Sequence, residues 1–462
     1  MALESTMNSV EDKLIDGLSY QLEAGAKHIT NKRSVKFYPQ GSNIYKSRGG
    51  TKMIKIMLNG DEFLDPNSVR VSFDLKNEDA QLGLLNVGGP WTFFRRLTIK
   101  CGGTTIEDID YYGRTHQMIH NLLPKDVRKN EVDEGFGFEL NLSQWRRDNN
   151  YRIENKPTDG AVLPDTKRTV SFKPLAGLFN QPKMIPLQFC PLTIELELVD
   201  NALDPLVETV PLGVGQSHDE SSLSSDGDLS QAWSIENPVV LCDLITIDNQ
   251  LMNEYANVVL SGRNLPISYS TLITQLQSLS SGNNGSQSGL INVTRAVSRL
   301  QSAFVTFSRS TDSNGARILY LNGAKVSTDP VVVNNLYSNE LTEFYGPMTD
   351  GGGRGVYDLA REIEFQLQIG SKKFPESEIK STSECFYNLR KTMGVHASSN
   401  HSLGVNLHEY LFDNFIIGID TEKSMQASGT GENLKAGQLI SLKYKFTDST
   451  ATRWPKQMYI TL

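Results

Sequence analysis

The most frequent pattern along the chain is an alternation of apolar and polar residues with a period of two. Because successive side chains of a strand point to opposite faces, each such run predicts a strand with one face in a core and the other in water. Half-buried strands of this kind are typical of antiparallel sheets. The runs lie at positions 69–75, 97–101, 192–198, 363–369, 415–419 and 440–446.

Asn-Gly pairs at 59–60, 284–285 and 322–323 predict turns between these strands. Many half-buried strands with few helices favour an all-β protein made of sandwiches, and large sandwiches of this kind are typically jelly rolls.

Helical periodicity is confined to short segments. The run 112–123 places apolar residues on one face and is followed by Pro124, and the run 383–393 is followed by Gly394. Both runs come after strand-like sequence at similar stages of the two halves. This weak internal repeat is consistent with two copies of one fold.

The segment 239–276 predicts a strand, a capped helix and a second extended run. Asp248 can cap the helix because its carboxylate accepts free N–H groups of the first turn, and Gly262 supplies a left-handed stop. Beyond the stop, Leu265, Ile267 and Tyr269 alternate with polar residues or proline, which predicts a strand. The segment therefore has the pattern of a connection between two β domains.

Residues 1–27 predict one amphipathic helix, because Val10, Leu14, Leu18 and Leu22 fall on one face. Two arrangements are open at this point. The helix packs on its own domain, or it forms an arm that docks on a neighbouring subunit.

Composition narrows the class of protein. With 462 residues the chain has room for about two or three domains, and 38% hydrophobic residues support real cores. A net charge of −8 disfavours a nucleic-acid coat with a basic arm. The start of the chain has no apolar signal-peptide stretch, and no run approaches the ~18 apolar residues of a membrane span. These features predict a protein that is soluble when made.

The four cysteines are Cys101, Cys190, Cys242 and Cys385, and their spacing matches no metal-binding motif. We expect free thiols in an intracellularly made protein.

Two groups of residues come closest to a metal site. His116 and His120 are four apart on a predicted helix, but Gln117 stands where a zinc protease needs Glu, which favours two polar helix residues. Glu107, Asp108 and Asp110 follow a Gly-Gly pair and could hold calcium, although a solvated turn is favoured.

Three other motifs suggest surface or loop roles. The glycine-rich run 351–355 lacks the lysine of a phosphate-binding loop, which favours a flexible loop. The pairs Arg95-Arg96 and Arg146-Arg147 lie beside aromatic residues but are too short for a nucleic-acid stripe, so interface or surface roles are favoured. We therefore predict no catalytic, cofactor or metal site, and this points to a structural role.

Several stretches resemble the double jelly-roll major capsid proteins of polinton-like viruses and virophages, and more distantly those of large eukaryotic DNA viruses. Among them are LTIKCGGTTIEDIDYYGRTHQMIHNLLPKD, LAGLFNQPKMIPLQFCPLTIELELVDNALD and IEFQLQIGSKKFPESEIKSTSECFYNLRKTMG. Together with segment 239–276, the ordered set covers well over half of the chain and lies at 33–75, 97–126, 175–204, 291–307 and 363–394.

The resemblance implies two tandem eight-stranded antiparallel jelly rolls with a few short loop helices. On composition alone, the Ser- and Gly-rich stretches at 213–231 and 279–289 compete as the boundary, and the resemblance favours the second. It implies an N-terminal arm over 1–27, a first jelly roll over 28–262, a linker over 263–289 and a second jelly roll over 290–462.

The resemblance also implies a function. Three subunits would form a pseudo-hexameric capsomer that tiles the icosahedral capsid of a double-stranded DNA virus. The expected partners are further copies of the chain, penton proteins and minor capsid proteins, without sequence-specific nucleic-acid binding or a transmembrane segment. The expected location is the virion shell after synthesis in the host cytoplasm or nucleus. The N-terminal helix is expected at the inner face of the shell, tying neighbouring capsomers or a minor protein.

Trp91, Phe94 and Trp145 are candidate anchors of the trimer contact, since large aromatic residues dominate interfaces. Two alternatives stay open. One is a carbohydrate-binding or carbohydrate-active double β-sandwich, which needs aromatic and acidic residues on one concave sheet. The other is a nucleic-acid-binding shell protein, which the acidic balance disfavours.

Overall fold

The structure is a computed structural model in which antiparallel strands dominate. It describes residues 28–137, 162–206, 230–279, 286–295, 297–308, 344, 346, 362–395, 402–405, 410, 414–422, 431–434, 438–447, 455 and 457–462. The strands are β1 Ile29–Phe37, β2 Ile44–Tyr45, β3 Met53–Leu58, β4 Phe63–Leu64, β5 Arg70–Asn77, β6 Phe94–Cys101, β7 Thr104–Asp110, β8 Lys167–Phe172, β9 Ile185–Pro186, β10 Leu192–Leu198, β11 Trp233–Ile247, β12 Thr274–Ser278, β13 Ser286–Val293, β14 Arg299–Leu300, β15 Ser302–Ser308, β16 Glu362–Ile369, β17 Lys372–Ile379, β18 Ile416–Asp420, β19 Glu432–Asn433, β20 Ile440–Thr447 and β21 Gln457–Thr461. The α-helices are α1 Tyr112–Leu122, α2 Lys125–Glu134, α3 Asn249–Leu260 and α4 Thr382–Thr392.

The chain folds as two halves, the first with strands β1 to β11 and the second with strands β12 to β21, and the two halves share one strand order. In the first half, one sheet runs β3-β10-β6-β7, and in the second half one sheet runs β13-β20-β16-β17. In the other sheet of each half, β11 lies between β1 and β5 as β21 lies between β12 and β15, with β8 and β18 beyond. Helices α1 and α4 occupy the same place, after β7 and after β17. This is the jelly-roll order twice over, and it confirms the predicted all-β double jelly roll.

The strands predicted from period two are present because their apolar residues share one buried face. In β10, Leu192, Ile194 and Leu196 are buried, while Thr193 and the glutamates between them are half-exposed. The antiparallel partners of Ile194 are Ile99 of β6 and Ile56 of β3, both fully buried. The runs in β5, β6, β16 and β20 are confirmed likewise.

Strand β18 departs from the half-buried pattern, because four of its five residues are buried. Helix α4 covers its other face so closely that a Cβ on Gly418 would lie 3.0 Å from Leu389 Cα and 2.8 Å from Thr392 Oγ1. A glycine is therefore needed where this helix crosses the strand.

Large aromatic residues fill the core of the first half rather than its surface. Trp91 and Phe94 are 1% and 0% exposed, and both rings contact Phe172. The prediction that these two residues anchor subunit contacts is therefore wrong, because their side chains are buried in the core and cannot reach a neighbouring subunit. Trp145, the third candidate, lies outside the described residues.

The segment 239–276 is confirmed in its helix and wrong in its last strand. Asp248 Oδ1 accepts a hydrogen bond from Gln250 N–H at 3.2 Å, and Gly262 has φ +75° after the last turn. Residues 263–273, however, lie in no strand, and backbone pairing begins only at Ile273, which exchanges two hydrogen bonds with Leu462 directly before β12. Ile267 and Tyr269 alternate because they pack on the first core, not because they form a ladder.

The predicted linker over 263–289 contains paired strands. β12 and the first part of β13 pair with β21 and β20 of the second half. The domain boundaries stay a prediction, and we propose that the second domain begins by Thr274.

The prediction of four free cysteines is wrong for two of them. Cys101 and Cys190 form a disulfide, with Cα atoms 5.6 Å apart, within the usual range for such a bond. Cys101 ends β6 and Cys190 precedes β10, and the pairing of these adjacent strands brings residues 89 apart in the chain together. Cys242 and Cys385 are free and buried.

Several predictions lie outside the described residues. They are the N-terminal helix over 1–27, the turns at 284–285 and 322–323, the stretch 213–229, the glycine-rich run 351–355 and the pair Arg146-Arg147.

Candidate functional site at the junction of the two halves

Helix α1 lies between the two halves and contacts both of them. Ten of its eleven residues are buried although its sequence, YGRTHQMIHNL, is largely polar. Such burial requires partners for the polar groups on every side. The helix meets both halves, so its side chains decide how the halves are held.

One side of α1 packs on the first half. The His116 ring stacks on Trp91, with centroids 4.2 Å apart, and Gln117 Oε1 accepts a hydrogen bond from Trp91 Nε1 at 2.9 Å. Tyr112 Oη accepts from Leu175 N–H at 3.0 Å. Burial lowers the pKa of the His116 imidazole well below its usual 6.5, and His120 lowers it further.

The other side of α1 enters the second half, where Arg114 is its main contact. This side chain is 3% exposed, and Nη2 donates to Thr306 Oγ1 and to the Phe307 carbonyl, both at 3.2 Å. The guanidinium lies 4.2 Å from the ring centroid of Tyr459 and 4.7 Å from that of Phe344. A planar cation between aromatic faces with two acceptors is a geometry that arginine provides and lysine does not.

Further polar and apolar contacts extend this side of α1. Thr115 Oγ1 and Thr274 Oγ1 are 2.8 Å apart, and Asn121 Nδ2 donates to Asn414 Oδ1 at 2.5 Å. Met118 and Leu122 belong to the hydrophobic core of the second half. The first half therefore contributes residues to the second core.

Glu107 of β7 ties the connecting segment 263–273 to the first half. Its buried carboxylate accepts hydrogen bonds from Gly177 N–H at 2.8 Å, Leu178 N–H at 3.2 Å and Thr271 Oγ1 at 2.9 Å. Burial raises the pKa of Glu107 above its usual 4.5, although the two backbone N–H groups oppose the shift. Tyr269 Oη adds a hydrogen bond to the Ile106 carbonyl at 3.0 Å.

The acidic group Glu107, Asp108 and Asp110 is neither a calcium site nor a solvated turn. The three residues lie in a strand, where Glu107 is buried and its neighbour Asp108 points to the opposite face. Arg96 binds both carboxylate oxygens of Asp108, at 2.7 and 2.6 Å, and holds its pKa below the usual 3.8. Gly102 and Gly103 form the turn before the strand, with φ +55° and +87°.

The histidine pair also has structural partners. His120 Nδ1 lies 2.6 Å from Glu131 Oε2 of α2, whereas His116 stacks on Trp91. Across the described ranges, no three His, Cys, Asp or Glu residues come close enough to hold a metal ion.

The basic pair Arg95-Arg96 is neutralised by acidic neighbours. Arg95 pairs with Asp200, and Arg96 pairs with Asp108. In the part of the chain that the structure describes, no helix is both long and apolar enough to cross a membrane.

The sequence reasoning missed Arg114 and the role of Glu107. A single arginine between apolar positions of a predicted helix is the signal that could have marked Arg114. Nothing local marks its partners, because Thr306 and Tyr459 lie far along the chain.

Comparisons with known proteins show a shared fold at low sequence identity. No protein-family model and no curated protein sequence matches the chain. PBCV-1 VP54, fitted into a reconstruction of the virophage Sputnik, is similar with a TM-score of 0.56 and 11% identity over 96% of this chain and 95% of that one. A chain of the Sputnik virophage structure gives 0.55 and 10% identity over 98% and 89%. The Faustovirus major capsid protein gives 0.51 and 8% over 99% and 92%.

These matches span nearly the whole of each chain, so both halves and their arrangement are shared. The chain is therefore an all-β double jelly-roll protein that shares its fold with PBCV-1 VP54, a chain of the Sputnik virophage and the Faustovirus major capsid protein.

Proposed function

We propose that this chain is the major capsid protein of a double-stranded DNA virus, a structural protein rather than an enzyme. The observation that supports this most is the junction at α1, which joins two jelly rolls of the same strand order into one block. Such a block suits a shell because its strands pair internally and its side walls stay available for lateral contacts.

Three such blocks form a pseudo-hexameric capsomer. Each subunit contributes two similar lobes, so a three-fold ring presents six lobes. Each contact joins one surface of a subunit to a different surface of the next subunit, and three-fold rotation closes the ring. Capsomers of this shape tile an icosahedral shell in the virion, with penton and minor capsid proteins as further partners. The chain is made in the host cytoplasm or nucleus before assembly.

The experiment is a native mass measurement on the purified protein, with electron microscopy of the same sample. We expect a homotrimer of about 154 kDa, three times the chain mass of 51.4 kDa, with a six-lobed outline. A monomer that binds glycans on an array would instead support the carbohydrate-binding alternative and overturn the proposal.

A further inference from the structure

Helices α1 and α4 hold equivalent places in the two halves, but they are buried to very different extents. Each has eleven residues and follows the edge strand of a four-stranded sheet, β7 or β17. Ten residues of α1 are buried, whereas only Thr382, Cys385 and Leu389 of α4 are. Tyr387 of α4 is 55% exposed. The outer side of α4 is therefore exposed within the described structure, whereas the outer side of α1 lies in the second half.

The surface that receives α1 is a row of residues across β12, β21 and β15. In this row, Tyr459 of β21 stands opposite Leu276 of β12 and Thr306 of β15. The guanidinium of Arg114 lies over the Tyr459 ring and donates a hydrogen bond to Thr306. Tyr459 and Thr306 are both buried, and α1 is the element that lies on them.

The first half has a corresponding row across β2, β11 and β5, and this row is open to solvent. Glu236 of β11 stands opposite Ile44 of β2 and Asp74 of β5, in the same strand order as the row under α1. β2 continues the pairing of β1 along β11, so it takes the place that β12 has in the second half. Ile44 is 49% exposed, and Tyr38, directly after β1, is 66% exposed. The first half therefore presents apolar side chains at the position where the second half receives a helix.

The charges of this row and of α4 are complementary. Asp74 and Glu236 share one lysine, Lys167, whose Nζ lies 3.0 Å and 3.9 Å from their carboxylate oxygens, so the row keeps an excess of negative charge. The last turn of α4 carries Arg390 and Lys391. Opposite charges on two surfaces favour their encounter and fix their orientation.

We propose that α4 of one subunit docks on the β2-β11-β5 row of the next copy of this chain, as α1 docks on the second half of its own subunit. The exposed helix belongs to the second half and the exposed row to the first, so the contact is head-to-tail, and three such contacts close a ring by rotation. Each junction in the ring then joins a helix that follows β7 or β17 to the sheet of the neighbouring half. The inference rests on the proposed trimer and deepens it by naming the two surfaces that meet.

The first test uses paired cysteines and a short bismaleimide. The variant Tyr387→Cys with Ile44→Cys should give covalent dimers and trimers of the chain on a denaturing gel, while the native thiols Cys242 and Cys385 are buried. Each single variant should stay at the monomer position, because a head-to-tail contact does not place a residue beside its own copy. The matched control replaces Ile44→Cys by Ile29→Cys, since Ile29 is 47% exposed and lies about 35 Å away along β11. Equal cross-linking in the control, or dimers from Tyr387→Cys alone, would overturn the proposal.

The second test is the native mass of three aspartate variants as a function of concentration. Tyr387→Asp and Ile44→Asp should each raise the concentration at which trimers form by roughly thirtyfold or more, the factor of one interface hot spot. Ile29→Asp adds the same charge outside the row and should leave assembly unchanged. A monomeric wild type would refute the proposed trimer and this inference with it. A trimeric wild type whose Tyr387→Asp and Ile44→Asp variants assemble equally well would refute only the two surfaces named.

Discussion

Replacing Arg114 with methionine should uncouple the two halves. The substitution keeps much of the apolar stem but removes two hydrogen bonds from a charged donor, each typically ~1.5–3 kcal/mol, and the contact with the Tyr459 ring. Removal of the buried cation's own desolvation cost offsets part of this loss. We expect a net destabilisation of about 2–4 kcal/mol at the junction.

Differential scanning calorimetry of the purified protein measures this effect. For an unfolding unit of ~200 residues, 2–4 kcal/mol corresponds to a midpoint lowered by roughly 4–16 °C. Because Arg114 bridges the halves, we expect the wild type to unfold in a single calorimetric transition. In Arg114→Met the two halves should unfold separately and give two peaks. The matched control is Arg96→Met, which removes a guanidinium paired with Asp108 at the surface of the first half and should cost about 1 kcal/mol or less. A wild-type midpoint and a single peak for Arg114→Met would refute this account of the junction.

Three further predictions concern the connecting segment and the core of the first half. The folded-state pKa of Glu107 is raised, so its contribution to stability is fully present below pH 4.5 and is lost as pH rises through the folded value. The advantage of wild type over Glu107→Gln, measured by chemical denaturation, should therefore shrink as pH rises above 4.5. The folded-state pKa of His116 is lowered, so the wild type should lose stability relative to His116→Phe as pH falls below 6.5, in the same assay. A Cβ on Gly177 would lie 1.7 Å from the Ser270 carbonyl oxygen, so Gly177→Ala should displace the connecting segment and speed its cleavage in limited proteolysis.

Each of these has an internal control. A pH-independent difference between wild type and variant would contradict the assignment for Glu107 or His116. Gly60→Ala serves as the partner of Gly177→Ala, because a Cβ there meets no atom within 4 Å, and equal protease sensitivity of the two would contradict the close approach.

Local pattern was sufficient wherever burial on one face decides the structure. The alternation in β10 and the spacing of α1 and α4 predicted strands and helices, because one apolar side per element is a property of neighbouring residues. The cap at Asp248 and the stop at Gly262 were readable for the same reason, since their partners lie within a few residues. The double jelly roll followed from the order of such elements and from the resemblance they carry.

Tertiary structure decided what depends on residues far apart in the chain. Only the fold brings Cys101 beside Cys190, places Arg114 between Tyr459 and Phe344, and turns Glu107 towards the connecting segment. Period two at 265–269 was misleading because packing on a core and pairing in a sheet give the same alternation. The sequence by itself therefore determined the elements and the fold class. The junction that holds the two jelly rolls together was decided by contacts between residues more than a hundred positions apart, which no local pattern encodes.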